Sequence, residues 1–217
     1  MTIKQFKNKY QNVSTFEKIN TIIKDKLEKE NFKKVKILEF GVDKGISTAL
    51  FLELCNKKNG KLYSVDTIDY SKHFTDKNWK FINCRDDDYM TINKIVDFPV
   101  DIIFLDTEHT AKHVEKIFFN YYKSLRKGGL FIIDDISWLP YLKNKKRDNE
   151  WIENNNKETF FKIIDILNSN IKNITVEFSF QYSGLAIIKK ITNTLNKNTK
   201  TPSREYSLKN IIKKLIK

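Results

Sequence analysis

Carboxylates recur at one kind of position in this chain. Glu39, Asp66, Asp106 and the pair Asp134-Asp135 each stand at or beside the end of a short apolar run, as in Val100-Asp101-Ile102-Ile103-Phe104-Leu105-Asp106. Such runs, bounded by turn residues, read as buried strands. Acids gathered at one rim repel one another unless a cation or protons neutralise them. Hard oxygen ligands suit Mg²⁺, Mn²⁺ or Ca²⁺. Capping of the next segment also accounts for one acid per strand, though not for a pair. His109 lies three residues after Asp106. A histidine there can serve as a general base, or as a cap. His113 follows one helical turn later, a spacing that can bind zinc, but Cys55 and Cys84 are not placed to join it. His73 has no neighbours that suggest chemistry.

The elements that position these residues follow from periodicity. Strands are expected over 35–40, 61–66, 79–83, 100–106 and 130–135, with a last adjacent pair over 174–180 and 185–189. Helices are expected over 14–31, opened by the capping box Ser14-Thr15-Phe16-Glu17, and over 47–58, 110–126 and 157–169. Gly128-Gly129 is expected to end the third of these. Residues 136–156 read as a polar stretch that carries Trp138, Tyr141 and Trp151. Strands alternating with helices predict an α/β, Rossmann-like doubly wound sheet, mostly parallel, with an antiparallel edge. Ligands bind beyond the carboxyl ends of such strands. The turn Gly41-Val42-Asp43-Lys44-Gly45 joins the first strand to its helix, and the start of that helix offers free N–H groups. Its Gly-x-x-x-Gly spacing is not the pyrophosphate fingerprint, and there is no Gly-Lys-Ser/Thr for a phosphate-binding loop. Asp66 can accept hydrogen bonds from two ribose hydroxyls.

Composition narrows the class. The 217 residues carry 40 Lys+Arg against 27 Asp+Glu, a net +13, which by itself suggests a polyanionic partner. The excess is confined to the ends. Residues 1–36 hold 10 basic and 4 acidic residues, residues 189–217 hold 9 and 1, and the middle holds 21 and 22. Abundant Lys, Asn and Ile also accord with an AT-rich genome. No apolar run approaches the ~20 residues of a membrane span. Two cysteines make no disulfide framework and favour a reducing, cytoplasmic location.

The residues Glu39-Phe40-Gly41-Val42, Gly45 and Ser47 resemble the nucleotide-binding signature of class I S-adenosylmethionine-dependent methyltransferases. Val65-Asp66 is similar to their ribose-binding acid, and Ile82 to Asp87 to the segment that meets adenine. Leu105-Asp106-Thr107-Glu108-His109 and Arg126 to Asp135 resemble a narrower group, the metal-dependent small-molecule and sugar O-methyltransferases. The resemblance spans roughly residues 35–189. It implies a seven-stranded sheet with an antiparallel last strand, S-adenosylmethionine as cofactor and a divalent cation, with Mg²⁺ expected. In this reading Glu39, Gly41, Gly45 and Ser47 shape the methionine pocket, Asp66 holds the ribose and Asp86 the adenine. Asp106, Asp134 and Asp135 hold the metal, and His109 deprotonates the acceptor. Asp87 and Asp88 are left as solvated or capping residues.

The expected organisation is an N-terminal helical segment (1–34), a methyltransferase domain (35–189) and a basic linker with a short amphipathic helix (190–217). That helix sets Leu208, Ile211, Ile212, Leu215 and Ile216 against Lys209, Lys213, Lys214 and Lys217. It suits an anionic membrane surface, a fold-back onto the domain, or self-association as a homodimer. The expected activity is O-methylation of a small hydroxylated acceptor such as a sugar, with Trp138 and Tyr141 as candidate stacking contacts. Two alternatives stand beside it. One is a nucleic-acid methyltransferase, disfavoured by the neutral middle and by the lack of an Asn/Asp-Pro-Pro-Tyr-type motif. The other is a non-catalytic cofactor-binding module tethered by its basic tail.

Overall fold

The computed structural model describes residues 1–10, 19–30, 32–138, 150–199 and 208–216. Seven strands form one sheet: β1 Lys36–Phe40, β2 Lys61–Asp66, β3 Trp79–Asn83, β4 Val100–Leu105, β5 Leu125–Asp134, β6 Ile174–Ser179 and β7 Leu185–Lys190. Their order is β3-β2-β1-β4-β5-β7-β6. The first five in that order pair in parallel, and β7 is antiparallel to both β5 and β6. The helices are α1 Ile3–Tyr10, α2 Asp25–Lys29, α3 Ile46–Lys57, α4 Tyr89–Ile95, α5 Ala111–Tyr121, α6 Glu150–Ser169 and α7 Leu208–Leu215, with a π-helical turn over Ile19–Lys24 before α2.

The central strands are apolar on both sides because helices cover both faces of the sheet. Side chains alternate along each strand. Leu38 and Phe40 of β1 therefore pack with Val114, Ile117 and Phe118 of α5 and with Ile163 and Ile166 of α6. Ile37 faces the opposite layer, with Leu50, Phe51 and Leu54 of α3 and with Phe6, Ile23 and Leu27 of the N-terminal segment. That segment thus closes the domain's second layer. Its Phe6 ring lies 5.0 Å from that of Phe74.

Several boundaries differ from the sequence reading. The expected helix over 14–31 is a π turn followed by α2 in its described part, and its capping box lies outside the described residues. Helix α5 stops at Tyr121, followed by a 3₁₀ turn, Tyr122–Ser124. Gly128-Gly129 then falls inside β5, whose pairing with β4 shifts register between Val100 and Ile102. Helix α6 begins at Glu150 rather than 157. Residues 190–199 do not run free as a linker. Tyr122 Oη donates to the Thr192 carbonyl (2.7 Å), and Asn196 N–H to Asn170 Oδ1 (2.6 Å). Among the described residues no helix is long and apolar enough to cross a membrane. Both cysteines are free, Cys55 buried and Cys84 partly so.

Candidate active site

The carboxyl ends of β1, β2, β3 and β4 open into a cleft of about 420 Å³, lined among others by Gly41, Val42, Asp66, Asp86, Asp106 and His113. Two backbone bonds set its floor, Gly41 N–H to the Val65 carbonyl (3.0 Å) and Asp106 N–H to the Phe40 carbonyl (2.9 Å). The β1 and β4 turns approach so closely that a Cβ on Gly41 would stand 1.9 Å from the Asp106 carbonyl oxygen, and its φ is +91°. No other residue fits there without moving the backbone. Gly45 begins α3, with Phe74 filling the space beside it.

Asp66 is held with its carboxylate at the cleft wall. Oδ2 accepts from Val42 N–H and Oδ1 from Ile68 N–H, both at 2.9 Å. A carboxylate has further acceptor sites, so this arrangement orients it without exhausting it.

Glu39 takes a different place from the one the sequence suggested. It is fully buried and accepts from Ser47 Oγ (2.5 Å), Ser64 Oγ (2.6 Å) and Thr48 Oγ1 (2.8 Å). Burial pushes its carboxyl up to about 7 against the opposing pull of the three hydroxyls. Glu39, Gly45 and Ser47 lie outside the residues that line the cleft. Glu39 and Ser47 instead tie β1 to the first turn of α3 beneath it.

At the far end of the cleft, Asp86 Oδ2 receives hydrogen bonds from Thr107 Oγ1 (2.5 Å) and His113 Nε2 (2.7 Å). Both members of the Asp86–His113 pair are 7% exposed. Burial works to raise the Asp86 carboxyl, but the bonds from His113 and Thr107 more than offset it and leave it below the usual carboxylate range. The same hydrogen bond, opposed by desolvation, holds the His113 imidazole above its ordinary value. His113 is therefore committed to Asp86, and the zinc pairing with His109 is not formed. Its neighbours are accounted for: Asp88 caps α4 through Thr91 N–H, and Asp87 pairs with Lys116 at 2.9 Å.

At the near end, His109 Nε2 lies 3.3 Å from Asp135 Oδ2 and 3.6 Å from Asp106 Oδ1. Ligand atoms of these three residues lie within 4.8 Å of one another, an arrangement able to hold a metal ion. Thr110, not Asp106, caps α5. Asp134 does not join the cluster. It is buried, accepting from Ser183 Oγ (3.0 Å) and from Asp135 N–H (2.7 Å). Asp134 thereby braces the turn in which Asp135 adopts a left-handed φ of +56°, and the set of three acids becomes two acids and a histidine. Helix α6 supports the other side: Thr159 Oγ1 donates to the His109 carbonyl (3.1 Å) and Asn156 Nδ2 to the Ser137 carbonyl (3.0 Å).

Trp138 follows three residues after Asp135. It stacks on Phe161 of α6 (6.1 Å, 28°), and its buried indole N–H has no hydrogen-bond partner among the described residues. Tyr141 lies outside the described residues.

A family profile described as a methyltransferase domain matches residues 38–136, which run from β1 to just past Asp135. The similarity to that family thus covers a little under half of the chain's 217 residues. A search of curated protein sequences returns no match. Solved structures share the fold. The MycE methyltransferase of the mycinamycin biosynthetic pathway, in complex with Mg, SAH and mycinamycin VI, aligns with a TM-score of 0.59 and 20% identity. The alignment covers 94% of this chain and 57% of that one, so the chain spans little more than half of MycE's length. A putative caffeoyl-CoA O-methyltransferase from Staphylococcus aureus aligns at 0.61 and 17% identity, covering 88% and 92%. A putative rRNA-methylase from Clostridium thermocellum aligns at 0.54 and 15%, covering 82% and 95%. Identities this low speak for the methyltransferase fold and leave the acceptor to be argued from the site.

Proposed function

We propose that this methyltransferase domain transfers a methyl group from S-adenosylmethionine to a hydroxyl oxygen of a small acceptor, a sugar or glycan precursor, beside a divalent cation. One observation carries the reading. Asp106 belongs both to the cleft and to the Asp106–His109–Asp135 cluster, so the cofactor cleft and the candidate metal donors meet at one residue. The solved neighbours, MycE with mycinamycin VI bound and the putative caffeoyl-CoA O-methyltransferase from S. aureus, support a small-molecule acceptor. The acids around the cleft oppose a polyanion such as RNA.

In this reading Asp66 receives the ribose hydroxyls and Asp86 offers its remaining oxygen to the adenine amino group. Glu39, with Ser47, Thr48 and Ser64, fixes the turn around which the methionine part lies. Asp106 and Asp135 supply hard oxygen donors that fit Mg²⁺. A bound cation would lower the pKa of an acceptor hydroxyl and orient it. S-adenosylmethionine, when bound, would supply an electrophilic methyl carbon on a sulfonium sulfur, the acceptor oxygen bonding to that carbon as the C–S bond breaks and S-adenosylhomocysteine leaves as a neutral thioether. His109 Nε2 takes the hydroxyl proton, and Thr159 keeps that ring in place through its backbone. Trp138, stacked on Phe161 three residues after Asp135, is the aromatic side chain placed to pack against the acceptor. The separations of His109 Nε2 from the two carboxylates also favour a second reading, in which it is a third metal ligand.

Calorimetric titration with S-adenosylhomocysteine, in Mg²⁺ and in chelator, tests the proposal. Binding in both conditions, with methyl transfer to a hydroxylated acceptor pool only in Mg²⁺, is expected. No binding at all would sink the cofactor assignment, and full activity in chelator would sink the metal. Binding without turnover on any acceptor would favour a non-catalytic module. A His109→Ala protein that still takes up Mg²⁺ assigns the base role, and one that does not assigns the ligand role.

A further inference from the structure

We propose that α7 docks the protein on an anionic membrane surface, its apolar side at the acyl boundary and its lysines among the headgroups. Helix α7 continues to Ile216, whose N–H donates to the Ile212 carbonyl at 3.1 Å. Its large apolar side chains face outward: Leu208, Leu215 and Ile216 are 79–80% exposed, Ile212 52% and Ile211 40%. At 3.6 residues per turn these five fall within an arc of roughly 140°. Between 206 and 217 the sequence has Lys209, Lys213, Lys214 and Lys217 and no acid, and the arc opposite the apolar one is where their positions fall. Lys197, Lys200 and Arg204 precede the helix, with Glu205 the one acid from 189 onward.

Charge selects among occupants. Nucleic acid would engage the lysines and leave the apolar stripe in water. A second copy of the same helix would cover the stripe but offer the lysines on the opposite arc no acidic partner. The protein's own domain leaves the stripe uncovered in this structure. An anionic bilayer surface satisfies both sides at once, since apolar burial and attraction to acidic lipids act together on a basic amphipathic helix. A helix this short is marginal in water, and the interface supplies the ordering surface it lacks.

Sedimentation of the full chain with vesicles of phosphatidylcholine, with and without phosphatidylglycerol, tests this. Binding to the anionic vesicles at least about tenfold tighter than to neutral ones is expected, weakening as salt screens the charges. Lys209→Gln should cost about fivefold. Ile212→Ser with Leu215→Ser should cost about tenfold or more at unchanged charge, with an unchanged melting midpoint as the control for folding. Equal binding to both vesicle types, or none at low salt, overturns the proposal. So does a dimer by light scattering that dissociates on Leu215→Ser, which would assign the stripe to a second copy. The readout needs neither cofactor nor acceptor, so it stands or falls apart from the methyl-transfer reading.

Discussion

His109 and His113 sit one helical turn apart and each faces aspartate, yet they do opposite things. His113 is buried against Asp86 at 2.7 Å, with Thr107 completing the same carboxylate oxygen. Its pair is closed, so its work is to hold a shape. His109 keeps about a third of its side chain exposed and stands 3.3 and 3.6 Å from two carboxylates, too far for short charge-assisted hydrogen bonds. Its cluster is open, with capacity left for a cation or a substrate proton. The two ends of the cleft thus divide into a closed wall and an open mouth, joined by the four residues from Asp106 to His109.

The sharpest way to break that division is at Asp106, which serves both ends. If Asp106 donates to a metal as proposed, Asp106→Asn should lower kcat by about a thousandfold, through several kcal/mol of lost transition-state stabilisation. Binding of S-adenosylhomocysteine should change far less, and a loss confined to binding would place Asp106 in the wall instead. His109→Ala tests the mouth alone. It should cost about a hundredfold in kcat with cofactor affinity held, as read by single-turnover rates beside calorimetry.

The next comparison sets wall against mouth directly. Asp66→Ala should weaken S-adenosylhomocysteine binding by about thirtyfold, as expected for hydrogen bonds to a charged group. Asp135→Ala should leave it within about threefold, because Asp135 reaches His109 rather than the cleft wall. The reverse order would undo the role assignments.

What was legible in the sequence follows the same line. β2 and β3 match their expected bounds: β2 runs through four successive buried residues, and β3, an edge strand, keeps an aromatic and β-branched signature in Trp79, Phe81 and Ile82. The rim of acids was legible for the same reason, since it marks where each such run ends. Helix α1 left no comparable pattern: only Phe6 of its eight residues is buried. The early start of α6 was hidden by the asparagines at 154–156 and the exposed side chains at 150–154, which read as loop. Gly128-Gly129 suggested a break because glycine punctuates helices, and the pairing of Leu125 with Val100 that extends β5 past it is a tertiary fact. In the site, Glu39 drew attention as a strand-end acid, but its three hydroxyl partners decide that it is buried. Ser47 and Thr48 were a usable local hint, and Ser64 was not. The partnership of His113 with Asp86 crosses 27 residues and leaves no mark on spacing. That Asp134 is buried on Ser183 while Asp135 reaches His109 rests on a partner 49 residues along the chain, which strand alternation does not show.

The smallest expected effect tests the closed pair itself. His113→Gln keeps a donor near Asp86 and removes the charge, so it should cost about 1–2 kcal/mol of stability. The sign with pH follows from the two shifts. A histidine held above its ordinary value stabilises the fold below the unfolded pKa of about 6.5 and loses that contribution as pH rises through its folded value. Asp86, held below the usual range, contributes above an unfolded pKa of about 4 and loses it as pH falls through its lowered value. The difference between wild type and His113→Gln should therefore be greatest between about pH 4 and 6.5 and shrink toward pH 9. Chemical denaturation at pH 5.5 and pH 9 measures it. A difference that is constant across that range would mean that His113 acts by shape alone, and that its charge has no part in keeping the far wall of the cleft closed.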